Sequence, residues 1–224
     1  MPLQRETVAR AALQLLDEVG LDALTMRRLA ADLDIQNQSL YWHFTNKQEL
    51  INCVAELMIA DAFAGLRHPE QSQDWAEWLA AFAHRFRRTM LAHRDGARIL
   101  AEADVSFSNF FEGIELALDV LQHAGFDGRW AIAGMTTIIH YILGNTFEAQ
   151  SDPSSRVDGE DEHSSHTLRL PVEDERFPRI AAFLHTTDLL SPASVDARFE
   201  EGLSLILDGL RAKLAKERSN GTNR

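Results

Sequence analysis

Cysteine is almost missing from this 224-residue chain, with Cys53 the only one. A single thiol rules out a disulfide scaffold and leaves a redox relay without its second sulfur. At helical spacing with Leu50 and Leu57, Cys53 reads as a buried neutral thiol. Long hydrophobic runs are missing too. The longest, Trp130 to Leu143, is interrupted by Gly134, Thr136, Thr137 and His140 and is too short to span a bilayer, so no membrane partner is expected. No charged start followed by an apolar run and a small-residue cleavage site opens the chain, and the expected location is the cytoplasm. Positive charge is scarce: 22 Lys and Arg face 34 Asp and Glu, a balance of −12. Residues 1–50 hold five basic and seven acidic side chains, so a broadly basic nucleic-acid footprint is excluded even there. Catalytic signatures are equally absent. There is no Gly-rich phosphate loop, no nucleophile elbow and no clustered metal-ligand set, so an enzyme is the least supported class and neither cofactor nor metal is expected.

What is present is helical periodicity over nearly the whole length, in a chain whose 45% hydrophobic content can bury a full core. The expected fold class is all-α. Val8, Ala12, Leu15, Leu16 and Val19 form the stripe of a first helix closed by Gly20. Asn46 with Glu49 resembles a capping box that starts a fourth helix running to about Leu66. After a polar link from His68 to Asp74, Trp75 opens a helix with Trp78, Leu79, Phe82 and Phe86 on one face. Arg94-Asp95-Gly96-Ala97 turns into a short helix; longer ones follow over 107–124, ended by Gly125, and over 128–150. Residues 151–175 break the pattern with eight acidic and two basic side chains and Pro153 and Pro171, which predicts a flexible acidic loop. His163 and His166 lie there beside Glu160, Asp161 and Glu162, without the rigid surroundings a metal site needs. Helicity resumes at Phe177-Pro178, and a final helix covers about 194–216. The expected domains are 1–66, ending in a connecting helix, and 67–218, with the acidic loop inside the second.

Leu24 to Phe44 carries the sharpest signal. Leu24, Arg28 and Ala31 share one face of a short helix, and Met26, Leu29, Ala30 and Leu33 share another. Thr25 stands at the N-cap position. Asp34 falls in a corner that calls for a left-handed residue, and a second short helix starts at Gln36 or Asn37. This is the layout of a DNA-reading helix-turn-helix. Gln36, Asn37, Gln38 and Ser39 offer amides and a hydroxyl to base edges, Arg27 suits guanine, and Arg28 adds local positive charge. Tyr41, Trp42 and Lys47 are groups that fix register on phosphates. For Tyr41 and Trp42 a place in the core of a small helical domain is the alternative; for Leu40 and Phe44 it is the expectation.

The runs GLDALTMRRLAADLDI (Gly20 to Ile35) and SLYWHFTNKQEL (Ser39 to Leu50) resemble the N-terminal domain of the tetracycline repressor (TetR) family. The resemblance implies that Arg27, Asn37 and Gln38 face base edges while Thr25, Ser39, Tyr41, Trp42 and Lys47 hold the backbone. Two positions depart from the pattern of close relatives, Asp34 for Gly and Gln38 for Pro, so an operator sequence cannot be carried over.

The likeness to the family's namesake continues through FRRTMLAHRDGAR (Phe86 to Arg98) and HYILGNTFE (His140 to Glu148), thins between Leu100 and Leu121, and is absent in the acidic loop. It implies a small-molecule effector in the second domain. The namesake's metal-binding histidine matches Leu100, and its drug-binding histidine, asparagine and glutamine match Ala64, Phe82 and Leu116. Only His140 and Glu148 keep their types. Leucine cannot ligate magnesium, so a more apolar, metal-free effector is expected, against Phe82, Phe86, Leu100, Phe110, Leu116, His140 and Glu148. For His140 a place in the core is the alternative. The helices near 130–150 and 194–216 are apolar beyond the needs of one chain, Gly202 and Gly209 allow close approach, and the family pairs the matching helices into a homodimer. The expected function is an effector-responsive repressor of a palindromic double-stranded DNA operator; an effector-blind regulator or an activator is the alternative.

Overall fold

The computed structural model describes residues 4–70, 73–104, 108–151, 175–186 and 192–221. Among these residues there are ten helices and no strand. The first four are α1 (Arg5–Val19), α2 (Met26–Asp32), α3 (Asn37–Tyr41) and α4 (Lys47–Phe63). Then come α5 (Trp75–Leu91), α6 (Gly96–Glu102), α7 (Ser108–His123), α8 (Gly128–Ser151), α9 (Pro178–Thr186) and α10 (Pro192–Gly221).

The helix ends follow local chemistry. Thr25 caps α2, its Oγ1 accepting from the Arg28 amide at 3.1 Å. Asp34 adopts the left-handed conformation the corner demands, with φ 51°. Its amide donates to the Ala31 carbonyl at 3.2 Å and that of Ile35 to Ala30 at 3.0 Å, which is a Schellman closure built on aspartate instead of glycine. Asn46 Oδ1 accepts from the Glu49 amide at 2.8 Å, while the Glu49 carboxylate reaches back to the Thr45 amide at 2.7 Å. The reciprocal half of the expected capping box thus lands one residue earlier.

α4 stops at Phe63, short of the expected Leu66, because the chain turns out of the helix at Ala64 (ψ 117°) and Gly65 takes a left-handed φ of 72°. The Arg85 guanidinium donates to the Ala64 carbonyl, and the Trp78 indole donates to the Arg67 carbonyl at 2.8 Å, so side chains of α5 satisfy the polar backbone of this exit. α10 runs further than its apolar stripe, starting at Pro192 and ending at Gly221.

One continuous apolar core joins the two halves. Leu40, Phe44 and Leu50 seal the small N-terminal bundle, and α4 carries that core onward, packing on α1 at one side and on α5, α6 and α7 at the other. α8 lies across α5, α6 and α7 and takes α10 against its flank. There Gly202 lets the Tyr141 hydroxyl in: a Cβ would sit 2.2 Å from that oxygen. The close approach at Gly202 is therefore made within the chain, which differs from the expected contact with a second copy, while Gly209 faces open space. No helix among the described residues is long and apolar enough to cross a membrane. The acidic segment with His163 and His166 lies outside the described residues.

Candidate nucleic-acid interface and effector chamber

On the short α3, the buried side chain is Leu40; Asn37 and Gln38 are exposed and Ser39 is half-buried. Tyr41 is 49% exposed and Trp42 84%, so neither belongs to the core, whereas Leu40 and Phe44 are fully buried. Exposing an indole to this extent costs contact with water that a packed ring avoids, which marks Trp42 as a surface meant to be covered.

The cations sort themselves just as sharply. Arg5 pairs with Glu49 at 2.8 Å and lies over the Phe44 ring, and Arg10 pairs with Glu6 at 2.9 Å. Arg27 and Arg28 are exposed and, among the described residues, make no side-chain ion pair or hydrogen bond. Lys47 is engaged within the chain: its ammonium, half-buried, donates to the Leu21 carbonyl at 2.8 Å and ties the base of α4 to the α1–α2 turn. Thr25 likewise spends its hydroxyl on the α2 cap.

That turn is also held from the other side. The Leu21 amide donates to Asp95 Oδ2 at 2.9 Å, and Asp95 itself sits at φ 59°, a conformation that costs a non-glycine residue energy. Asp17 accepts from the Arg94 amide at 2.9 Å and lies 3.0 Å from His93 Nδ1. Arg98 forks onto Asp22 at 2.6 and 2.9 Å. Gln48 and Asn52 of α4 bond the Glu102 carbonyl at 2.8 Å and the Asp104 amide at 3.1 Å. The N-terminal bundle is thereby stitched to α5 and α6 by a polar seam that the sequence did not announce, since its members lie about 50–77 positions apart.

In the larger domain the aromatic residues stack. Trp78 lies on Phe82 (centroids 6.0 Å, 14° between planes), and Phe63 from the end of α4 stacks on Phe82 (5.5 Å, 18°) and Phe86 (5.8 Å, 24°). Beside Phe63, a cavity of about 240 Å³ opens between α4 and α7, lined by Ala60, Phe63, Ala64, Leu66, Glu112, Gly113 and Leu116. A second, larger depression of about 500 Å³ lies by the 68–75 link; His68, Glu70, Asp74 and His123 share its wall with Pro69, Trp75, Val120 and Ala124, so it carries more charged groups than the first.

The expected effector residues divide accordingly. Phe82 and Phe86 are buried in the stack, Leu116 lines the cavity, and Leu100 and Phe110 are half-buried against the core without lining it. His140 and Glu148 are exposed on the outer face of α8, neither core nor cavity in this chain. The buried face of α8 runs through Ala131, Met135, Ile138, Ile142 and Thr146, and His140 and Glu148 follow Ile138 and Thr146 by two residues, which puts them on the opposite side of the helix. Phe63, which no pattern singled out, is the residue that joins stack to cavity.

Two perturbed titrating groups lie on α4. The Thr45 amide, then Arg5, then the Thr45 hydroxyl hold the Glu49 carboxyl down at about 2. Burial pushes the Cys53 thiol up, away from the thiolate that redox chemistry requires. Among the described residues, no group of three or more His, Cys, Asp or Glu side chains is placed to hold a metal ion.

An amide-tipped helix-turn-helix fused to a larger helical domain with an open cavity between α4 and α7 defines a DNA-binding transcriptional regulator. The model described as bacterial regulatory proteins, tetR family, matches residues 9–54, and the one described as tetracyclin repressor-like, C-terminal domain, matches residues 68–214. The chain is 38% identical over 208 residues to tetracycline repressor protein class A from transposon 1721 of Escherichia coli, covering 93% of this chain and 90% of that protein. A possible TetR family transcriptional regulator from Streptomyces coelicolor A3(2) superposes with a TM-score of 0.80 at 37% identity, over 93% of this chain and 99% of that one. The Streptomyces coelicolor TetR family protein ActR in complex with actinorhodin gives a TM-score of 0.80 at 29% identity, over 96% and 99%. The protein belongs to the TetR family of transcriptional regulators, which are not enzymes.

Proposed function

We propose that this protein is a transcriptional repressor that binds a palindromic duplex operator as a homodimer and is released by a small, largely apolar effector without a metal. The observation that carries the DNA half is the 84% exposure of Trp42, the residue that caps the helix presenting Asn37 and Gln38, close in sequence to the unpaired Arg27 and Arg28. Amides read adenine edges, arginine reads guanine, and the ring and hydroxyl of Trp42 and Tyr41 follow the backbone.

Pairing through α8 and α10 is supported by the large apolar side chains they leave in water: Ile132 at 56%, Phe147 at 49% and Leu205 at 74% exposure. An apolar effector is supported by the cavity wall, where Glu112 is the single charged side chain, and by Leu100 and Leu116, which cannot bind magnesium. The ligand complex of a relative with the same fold supports an effector of some kind. The filled aromatic stack favours an effector-blind regulator as the second reading, because a chamber already occupied by side chains has little free volume.

Selection of duplexes from genomic fragments, followed by titration, tests the proposal. A selected palindrome is expected to bind far above random DNA and to be released by apolar compounds but not by magnesium-tetracycline. Equal affinity for all duplexes removes the DNA half. Release by magnesium-tetracycline removes the metal-free effector.

A further inference from the structure

Phe63 has no counterpart among the groups that hold α4 in place. It is the last residue of that helix, half-buried, with one face of its ring on Phe82 and Phe86, themselves 1% and 3% exposed. Its edge reaches into α7, which makes room by having no side chain there: a Cβ on Gly113 would lie 2.3 Å from Phe63 Cε2 and 2.5 Å from Cδ2. Close by, Ala60, Leu66 and Leu116 wall the cavity of about 240 Å³ that Phe63 also lines. Phe63, Phe82 and Phe86 form a triangle of near-parallel rings 5.5–6.1 Å apart, and the one member that is only half covered, borders free space and hangs on a helix end is the removable one.

We propose that Phe63 is a self-supplied occupant of the effector chamber, and that the effector is a planar aromatic molecule that displaces it and stacks on Phe82 and Phe86 in its stead. The inference rests on the effector-release reading above and specifies its ligand class and its trigger. A flat ring system recovers the stacking that Phe63 gives up; a saturated molecule of the same outline does not. Glu112, the lone charge in the wall, accepts from a hydroxyl or amino group on the ligand's edge and repels a carboxylate. Displacement acts directly on α4, because Phe63 is followed by Ala64, whose carbonyl Arg85 holds, and by Gly65 at φ 72°. The other end of α4 carries Lys47, bound to the Leu21 carbonyl. An evicted ring therefore biases the helix that connects the two domains, and the ligand can shift the operator complex by as much as its preference for the evicted state.

The test uses full-length protein, its selected operator duplex, and two probes: 1,8-dihydroxyanthraquinone and perhydroanthracene. Binding is followed by tryptophan fluorescence and release by operator retention, with each variant on the same duplex so that any direct effect of the quinone on DNA cancels. Wild type is expected to bind the quinone and release the operator, and to do neither with the saturated compound. Phe63→Ala is expected to bind the quinone roughly tenfold more tightly yet release the operator less, since no ring remains to be evicted. Gly113→Ala is expected to weaken operator binding several-fold with no ligand present, and Phe63→Ala in the same chain to restore it, with thermal melts showing each variant folded. Unchanged affinity and release in Phe63→Ala, or full operator affinity in a folded Gly113→Ala, overturns the proposal. Equal release of wild type by the saturated compound also overturns it and leaves effector release standing. Failure of every apolar compound to release wild type removes effector release itself.

Discussion

At the scale of single residues, the proposed operator complex gives the two arginines without partners and the exposed indole different jobs, and the difference is measurable. Arg27→Ala is expected to cost about 1–3 kcal/mol on the selected operator and much less on random duplex, because a guanine contact carries sequence information. Trp42→Ala is expected to weaken both alike; quantitative gel shifts on the two duplexes separate these outcomes. Glu49 is a different case. Its carboxyl titrates at about 2 in the folded protein against 4.5 ordinarily, so between those values the unfolded chain binds the extra proton. The stabilisation it gives is complete above pH 4.5 and is lost as pH falls toward 2. Glu49→Gln is expected to flatten this acid limb, seen as a smaller drop in melting temperature between those pH values than wild type shows.

At the scale of elements, α5 is fastened to α8 and α10 by one buried cation. The Arg87 guanidinium pairs with Asp196 at 2.8 Å, donates to Asn145 Oδ1 at 3.1 Å, and lies 4.6 Å from the centre of the Phe199 ring. Arg87→Ala removes a packed stem together with all three contacts, and a loss of roughly 1–3 kcal/mol in urea unfolding is expected. Arg87→Lys is expected to recover little of it, because an ammonium cannot fork and stack at once. Helix existence and order were legible in the chain because apolar residues repeat at helical spacing in α1, α5 and α7. Helix ends were less so: α4 stops at Phe63 through Gly65 and two side chains of α5, and only folding reveals the latter. His140 shows the reverse situation: its type matches the family's namesake, and the spacing from Ile138 and Ile142 sets it on the side of α8 away from the buried face, as periodicity alone predicts. Phe63 escaped notice because its meaning comes from Gly113, 50 positions away, and a missing side chain leaves no mark in a hydrophobic pattern.

At the scale of the whole molecule, charge and shape place separate demands. The −12 balance keeps the body from clinging to DNA. In the proposed dimer, affinity therefore comes from two reading helices acting together, roughly 34–36 Å apart on successive turns of a duplex. Leu205→Glu, which puts a carboxylate on the most exposed apolar side chain of α10, is expected to give monomers by sedimentation equilibrium and to abolish operator retention, while the melting of the N-terminal bundle changes little. A dimer that survives this change would move the pairing surface elsewhere. Leu21 adds a consequence for the form any shape change can take. Its amide and its carbonyl are both spoken for, one by Asp95 and the other by Lys47, so a single amino acid in a short bend is gripped simultaneously by two separate stretches of chain. A bend pinned like this links the reading head to the body as well as to α4: any tilt of the three leading helices has to carry the α5–α6 corner along or give up the Asp95 bond, and faster exchange of the Leu21 amide proton after the duplex departs would report the second.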